Sequence, residues 1–312
     1  MQFLGIDTSN YTTSAAILDS DSGKIFQQKM LLPVKDGQQG LRQSDAVFHH
    51  TQQLPIVMEK LCADMSVKPQ AIGVSAFPRR VQGSYMPCFT VGISAAKILS
   101  NILQVPLYTF SHQEGHIAAA LYSAGRLDLL NRRFIAFHIS GGTTEALIVD
   151  GTSGRMDIQI AAKTLDLNAG QAVDRVGIML NMKFPCGNEL ETAALQYTGS
   201  FKCKPFIRDN NCSLSGVENR CRKMLESGES REKIAAYCLC FIKETIASMC
   251  EDLLQKYGEL PLVFAGGVMS NSIIRSELQK RFLNSFFAEP IYSADNAAGT
   301  AVLTEIFGGI KR

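Results

Sequence analysis

Short apolar blocks, broken by turns rich in Gly, Ser and Thr, open this chain. Residues 3–25, FLGIDTSNYTTSAAILDSDSGKI, run as an apolar strand, a small-residue turn, a second apolar strand and an Asp-to-Gly turn. That order predicts a β-hairpin. The same order returns without a gap at residues 134–156, FIAFHISGGTTEALIVDGTSGRM, at a constant offset of 131. Under the offset Ser9 falls on Ser140, Thr12-Thr13 on Thr143-Thr144, Asp19 on Asp150 and Ser22-Gly23 on Ser153-Gly154. An internal repeat of this length predicts two related halves, each opened by the same hairpin.

After each hairpin the apolar period changes to that of helices and buried strands. Residues 46–65 read as a helix that carries Pro55 as a kink or register break. AIGVSAF (71–77) and PLYTF (106–110) read as strands, with a helix over 90–103 between them. In the second half, residues 230–258 predict a long, mostly buried helix stopped by glycine. The strand PLVFAGG, a helix near SNSIIRSEL and a small-residue helix in DNAAGTAVLTEIFGG follow. The fold class expected is α/β with two duplicated lobes and an interlobe cleft. The division expected is 1–111 for the N-terminal lobe and 112–291 for the C-terminal lobe. Residues 292–312 are expected to form a helix that packs back on the first lobe.

Composition narrows the function. The chain has 312 residues, 46% of them hydrophobic, enough for two lobes with cores of their own. A net charge of +2 provides no global field for nucleic acid or for an acidic membrane. The N-terminus reads as a strand rather than a signal peptide, and no apolar run suits a membrane span. Nine cysteines without a CxxC pair suit reduced thiols, so the expected compartment is the cytoplasm.

Three strands run into small-residue turns: GIDTSNYTT (5–13), ISGGTTE (139–145) and FAGGVMSN (264–271). Such turns let a ligand approach the backbone, and their N–H groups suit phosphate. Neither GxxxxGK[ST] nor GxGxxG occurs. The stretch HQEGH places two of the five histidines, His112 and His116, four apart. On a helix both imidazoles share a face and can reach one metal ion, while Glu114 points elsewhere. HQEGH is not the HExxH of metalloproteases, whose glutamate follows the first histidine directly. Two histidines otherwise satisfied by neighbours remain the alternative. A third ligand has to be a carboxylate from elsewhere, and Asp295, at the head of the last small-residue helix, is the candidate.

Taken together, HQEGH, HISGGTT, TLDLNAGQAVDRVG, FPCGNELE, AGGVMSN and ADNAAGTA resemble the universal tRNA threonylcarbamoyladenosine synthase family, once labelled O-sialoglycoprotein endopeptidases or glycoproteases. The resemblance runs along nearly the whole chain with the motifs in the same order. It implies the actin/Hsp70/sugar-kinase fold, which agrees with the repeat. It also implies that His112, His116 and Asp295 hold one divalent metal ion. ATP or an acyl-adenylate would lie on Ser140, Gly141 and Gly142, with contacts from Asp174, Gly187, Glu191 and Asn271. The reaction implied is metal-dependent transfer of a threonylcarbamoyl group from its adenylate to N6 of adenosine in tRNA. Imidazole and carboxylate ligands suit iron or zinc better than magnesium. His138, where archaeal and eukaryotic-type members carry a tyrosine, is open to two readings: a third imidazole ligand, or a residue of the strand's core. The partners implied are tRNA with accessory proteins, in a homo- or heterodimer, and no membrane.

The chain also departs from the family. PRRVQGSYMPC (78–88) replaces a GPG-containing loop, Thr143 stands near the ligand turn, and Glu218 in SLSGVEN stands where bacterial members often carry lysine. These mark a divergent member and leave two alternatives: transfer to a different acceptor, or a non-catalytic partner of a true synthase. The histidine pair argues against the second. The basic clusters Arg79-Arg80, Arg132-Arg133, Lys202/Lys204/Arg208 and Arg220/Arg222/Lys223 read first as solvated faces.

Overall fold

The computed structural model of the chain describes residues 1–9, 11–33, 41–63, 67–293 and 297–308. The chain divides into two compact units, Met1–Leu127 with Ile291–Arg312, and Asp128–Pro290. Among the described residues no helix is long and apolar enough to cross a membrane.

The first unit begins with β1 (Gln2–Asp7), β2 (Thr12–Asp19) and β3 (Lys24–Leu31), an antiparallel meander. It continues through α1 (Gln43–Cys62), β4 (Pro69–Phe77), α2 (Phe89–Leu103), β5 (Leu107–Ser111) and α3 (His112–Ser123). The sheet order is β3-β2-β1-β4-β5, with β4 parallel to β1 and β5 parallel to β4. Leu4, Ile6, Ile17, Ile72 and Val74 form its core. Helix α1 runs unbroken through Pro55, which lies on its exposed face. There the carbonyl that proline leaves unpaired is within reach of water.

The second unit repeats the meander as β6 (Arg133–Ile139), β7 (Thr144–Asp150) and β8 (Asp157–Lys163). Next come α4 (Ala169–Met179), α5 (Gly187–Leu195), the ribbon of β9 (Phe206–Arg208) and β10 (Asn211–Ser213), and α6 (Ser215–Glu226). The long α7 (Arg231–Tyr257) is followed by β11 (Leu262–Ala265), α8 (Ser272–Arg281) and β12 (Ser285–Phe287). The sheet order β12-β11-β6-β7-β8 is that of the first sheet, written from the other edge. The register agrees with the repeat: Phe3 faces Leu18 in one hairpin, and Phe134 faces Val149 in the other. The rings of Phe137, Phe264 and Phe287 stack across three neighbouring strands, at 5.0 and 4.7 Å between centroids. Helix α7 stops at Gly258, whose φ of +88° suits a residue without Cβ.

The chain then returns to the first unit through α9 (Pro290–Ser293) and α10 (Ala298–Gly308). Helix α10 packs on β1, β4 and α3. The first unit therefore runs past residue 111 to Leu127: α3, expected in the second lobe, packs against α10 and belongs with it.

Candidate functional site

In the first unit the histidine pair opens α3. Ser111, fully buried, caps the helix by accepting from Glu114 N at 3.1 Å, and Glu114 Oε2 accepts from Ser111 N at 2.6 Å. This reciprocal capping box fixes where α3 starts, and so which turn carries the imidazoles. Glu114 also binds Arg80 through two bonds of 3.1 and 3.2 Å, while Gln113 N donates to Pro78 O. The 78–88 loop is thus fastened to the histidine helix, and Arg80 is spent on Glu114 instead of forming part of a free basic face.

His112 Nδ1 donates to Asp7 Oδ2 at 2.9 Å, and Asp7 is 1% exposed at the end of β1. Burial pushes the Asp7 carboxyl upward, but His112, Ser75 and Ser9 more than offset it and hold the group below the usual carboxylate range. An ionised Asp7 locks the ring of His112 with Nε2 turned toward Nε2 of His116, 2.9 Å away. Ser9 Oγ lies 3.4 Å from the same His112 nitrogen. Behind Asp7, Ser75 donates at 2.5 Å and in turn meets Thr300 Oγ1 of α10 at 3.2 Å. A carboxylate behind one of two converging imidazoles is a donor arrangement that fits iron or zinc. Among the described residues no three His, Cys, Asp or Glu side chains converge on one point. Asp295 lies outside the described residues.

In the second unit a cavity of about 260 Å³ gathers residues from five separate segments. Gly141 comes from the β6–β7 turn, Asp174 from α4, Gly187 and Glu191 from α5, and Asn271 from the cap of α8. Ser140 and Gly142 flank Gly141 on the turn without lining the cavity. The turn is closed by Ser140 N to Thr143 O at 2.7 Å, and Ser140 O accepts from Gly170 N at 3.1 Å. A Cβ on Gly170 would run into the backbone of Ser140 and Gly141, so only glycine lets the head of α4 meet the turn. Asp174 Oδ1 accepts from Cys186 N at 2.8 Å, which ties α4 to the start of α5. Glu191 accepts from Asn271 Nδ2 at 3.0 Å, from Ser272 N at 2.9 Å and from the Ser272 hydroxyl.

His138 is half-buried on β6, between Glu145 of β7 and Ala265 of β11. Glu218, the departure in SLSGVEN, pairs with Arg175 and Arg222, both at 3.0 Å. Several residues of these sites are not singled out by the sequence, although Asp7, Thr300 and Ser270 lie inside quoted motifs: Asp7, Ser75 and Thr300 behind the histidines, and Ser270 in the cavity wall. The Ser270 hydroxyl is inaccessible to solvent and has no hydrogen-bond partner among the described residues. For the first group a signal existed. The offset of 131 lays Asp7 on His138 and Ser9 on Ser140, so each hairpin puts polar side chains at the same strand end.

Solved structures share this architecture. Full-length HypF, in a phosphate- and nucleotide-bound form, superposes with a TM-score of 0.61 at 11% identity, over 98% of this chain and 55% of that one. Component A of the (R)-2-hydroxyglutaryl-CoA dehydratase of Acidaminococcus fermentans does so with a TM-score of 0.56 at 16% identity, over 97% of both chains. At these identities the likeness shows the fold alone, the duplicated α/β unit of the actin/Hsp70/sugar-kinase type. Closer in sequence are two proteins named tRNA N6-adenosine threonylcarbamoyltransferase. That of Persephonella marina is 28% identical over 100% of this chain and 90% of its own, and that of Enterococcus faecalis 27% over 88% and 80%. The family pattern of TsaD, tRNA N6-adenosine threonylcarbamoyltransferase, matches residues 33–302. Matched over most of its length, the chain belongs to the TsaD family of tRNA N6-adenosine threonylcarbamoyltransferases.

Proposed function

We propose that this protein transfers a threonylcarbamoyl group from threonylcarbamoyl-adenylate to N6 of adenosine in tRNA. The observation that carries the reading is the cavity of the second unit. In a chain of this family, Gly141, Asp174, Gly187, Glu191 and Asn271, far apart in sequence, meet around one space. The exposed glycine backbone of the β6–β7 turn suits the phosphate of an adenylate, and Asp174 and Glu191 suit the hydroxyls of its ribose. The mixed anhydride is already activated, so the protein's task is to position it and to stabilise charge. The adenosine amine attacks the carbamoyl carbonyl carbon, a C–N bond forms, the C–O bond to the phosphate breaks, and AMP leaves with the electron pair while N6 gives up a proton.

His112 and His116 would hold one divalent ion, iron or zinc, with Asp295 as the carboxylate ligand. Such an ion supplies polarisation of a carbonyl oxygen. Asp7 keeps His112 in the tautomer whose Nε2 carries no proton and could serve as a ligand. A net charge of +2 leaves tRNA affinity to local patches and to accessory proteins of the cytoplasm, in a homo- or heterodimer.

The test supplies purified protein with threonylcarbamoyl-adenylate, tRNA and candidate partner proteins, and reads the nucleosides by mass spectrometry beside a His112→Ala/His116→Ala variant. Modified adenosine that vanishes in the variant is the expected result. Adenylate binding without any modified tRNA would sink the tRNA reading. It would favour another acceptor, which the Arg80-anchored 78–88 loop beside the histidines would then help to select.

A further inference from the structure

Away from both sites, Cys203 and Cys240 meet sulfur to sulfur at 3.2 Å, the first in the segment between α5 and β9, the second in the middle of α7. We propose that this pair is a peroxide-sensitive dithiol that closes reversibly to a Cys203–Cys240 disulfide.

Four observations set it apart from the other cysteines. Both sulfurs belong to half-buried residues, whereas Cys88, Cys186, Cys212, Cys221, Cys238 and Cys250 are buried. Cys62 is exposed, but burial of its thiol still pushes its pKa up, and no cysteine partner is placed beside it among the described residues. The roles within the pair are unequal. Cys203 donates its S–H to Cys240, and that bond holds the Cys240 thiol at about 7 against the upward push of burial, with help from Lys243 one turn along α7. The same bond pushes Cys203 up, so it enters the chemistry second. Finally, Lys202 and Lys204 flank Cys203 in sequence, and beside Cys240 the charge of Glu244 works against that of Lys243.

The chemistry balances with hydrogen peroxide as the oxidant. The Cys240 thiolate attacks one peroxide oxygen, the O–O bond breaks, and Cys240 becomes a sulfenic acid while the departing hydroxide takes up a proton as water. Cys203 sulfur then attacks Cys240 sulfur, the S–O bond breaks, and the hydroxyl leaves with the Cys203 proton as a second water. The two thiols lose two electrons and the peroxide gains them; a thiol reductant reverses the change. The cross-link pins the segment around Cys203 to α7 one residue from Leu239, which lines the cavity of the second unit.

The experiment titrates the reduced full-length chain with hydrogen peroxide near pH 7 and maps the products by peptide mass spectrometry before and after thiol reduction. A reducible Cys203–Cys240 peptide is expected. At that pH a thiol held at about 7 is roughly half thiolate where an ordinary one is only a few per cent ionised, and its lower nucleophilicity gives part of that back. Cys240 should therefore outpace Cys62 by about ten-fold. In Cys203→Ser, Cys240 should stop at a sulfenic acid trapped by a cyclic diketone, and in Cys240→Ser the fast phase should disappear. A cross-link mapping elsewhere, Cys62 oxidising as fast as Cys240, or no product at sub-millimolar peroxide would each overturn the proposal. None of these outcomes depends on the transferase reading.

Discussion

At the scale of single residues the histidine helix owes its chemistry to a neighbour that sequence spacing does not reveal. His112 and His116 are visible as a pair because the helical period joins positions four apart. Asp7, which sets the ring of His112, is 105 residues away, and no local pattern connects them. Replacing it tests its role. Asp7→Asn preserves shape but removes the charge that holds Nδ1–H, and the affinity of the purified protein for zinc or iron should fall by about 10- to 100-fold. Metal titration reads this directly, with circular dichroism to verify folding; unchanged affinity would mean that Asp7 only fills space. Ser270 illustrates the same limit, since its hydroxyl, without a partner among the described residues, is evident only once the cavity wall is assembled.

Among elements, caps and tethers decide where the functional turns begin. Asp166, between β8 and α4, accepts from Leu214 N at 2.8 Å and from the amide and hydroxyl of Ser215 at the head of α6. Burial pushes its carboxyl up, yet these donors, together with Leu167 N, outweigh it and hold the group at about 2. Because the folded pKa is depressed, its contribution is complete above the unfolded value of 3.8 and fades as pH falls toward 2. Asp166→Ala should therefore cost about 1 kcal/mol at pH 7, discounted for an exposed group, with the deficit narrowing below pH 4. Urea unfolding at several pH values measures it, and a pH-independent deficit would contradict the charge argument. The sequence marked TLDLNAG as a family motif, but the part of Asp166 in fastening α6 required the β8–α4 and β10–α6 junctions side by side.

Across the whole molecule the C-terminal helix is what completes the first unit. Helix α10 approaches α3 and β1 so closely that a Cβ on Gly299 would overlap the Gly115 carbonyl, and one on Gly5 would meet the backbone of Ala297 and Ala301. Backbone cannot step aside as a side chain can, so Gly299→Ala should cost at least about 3 kcal/mol. Differential scanning calorimetry should show a lowered transition for this variant. An unchanged melting temperature would mean that α10 is held less tightly than the contact implies. Gly115, the fourth residue of HQEGH, has its reason here: it faces α10 at Thr300.

The duplicated hairpins, the helix and strand periods, the glycine turns and the order of the motifs were all legible in the sequence, because each is a local pattern of side-chain type. They carried the fold class and the family. What only the tertiary structure decided was which distant groups meet: Asp7 with His112, Arg80 with Glu114, Glu191 with Asn271, Cys203 with Cys240. The place of α3 in the first unit was settled there too. Hydrogen bonds and close packing act over a few ångströms in space, and only the folded arrangement within each unit brings residues so distant in sequence to that range.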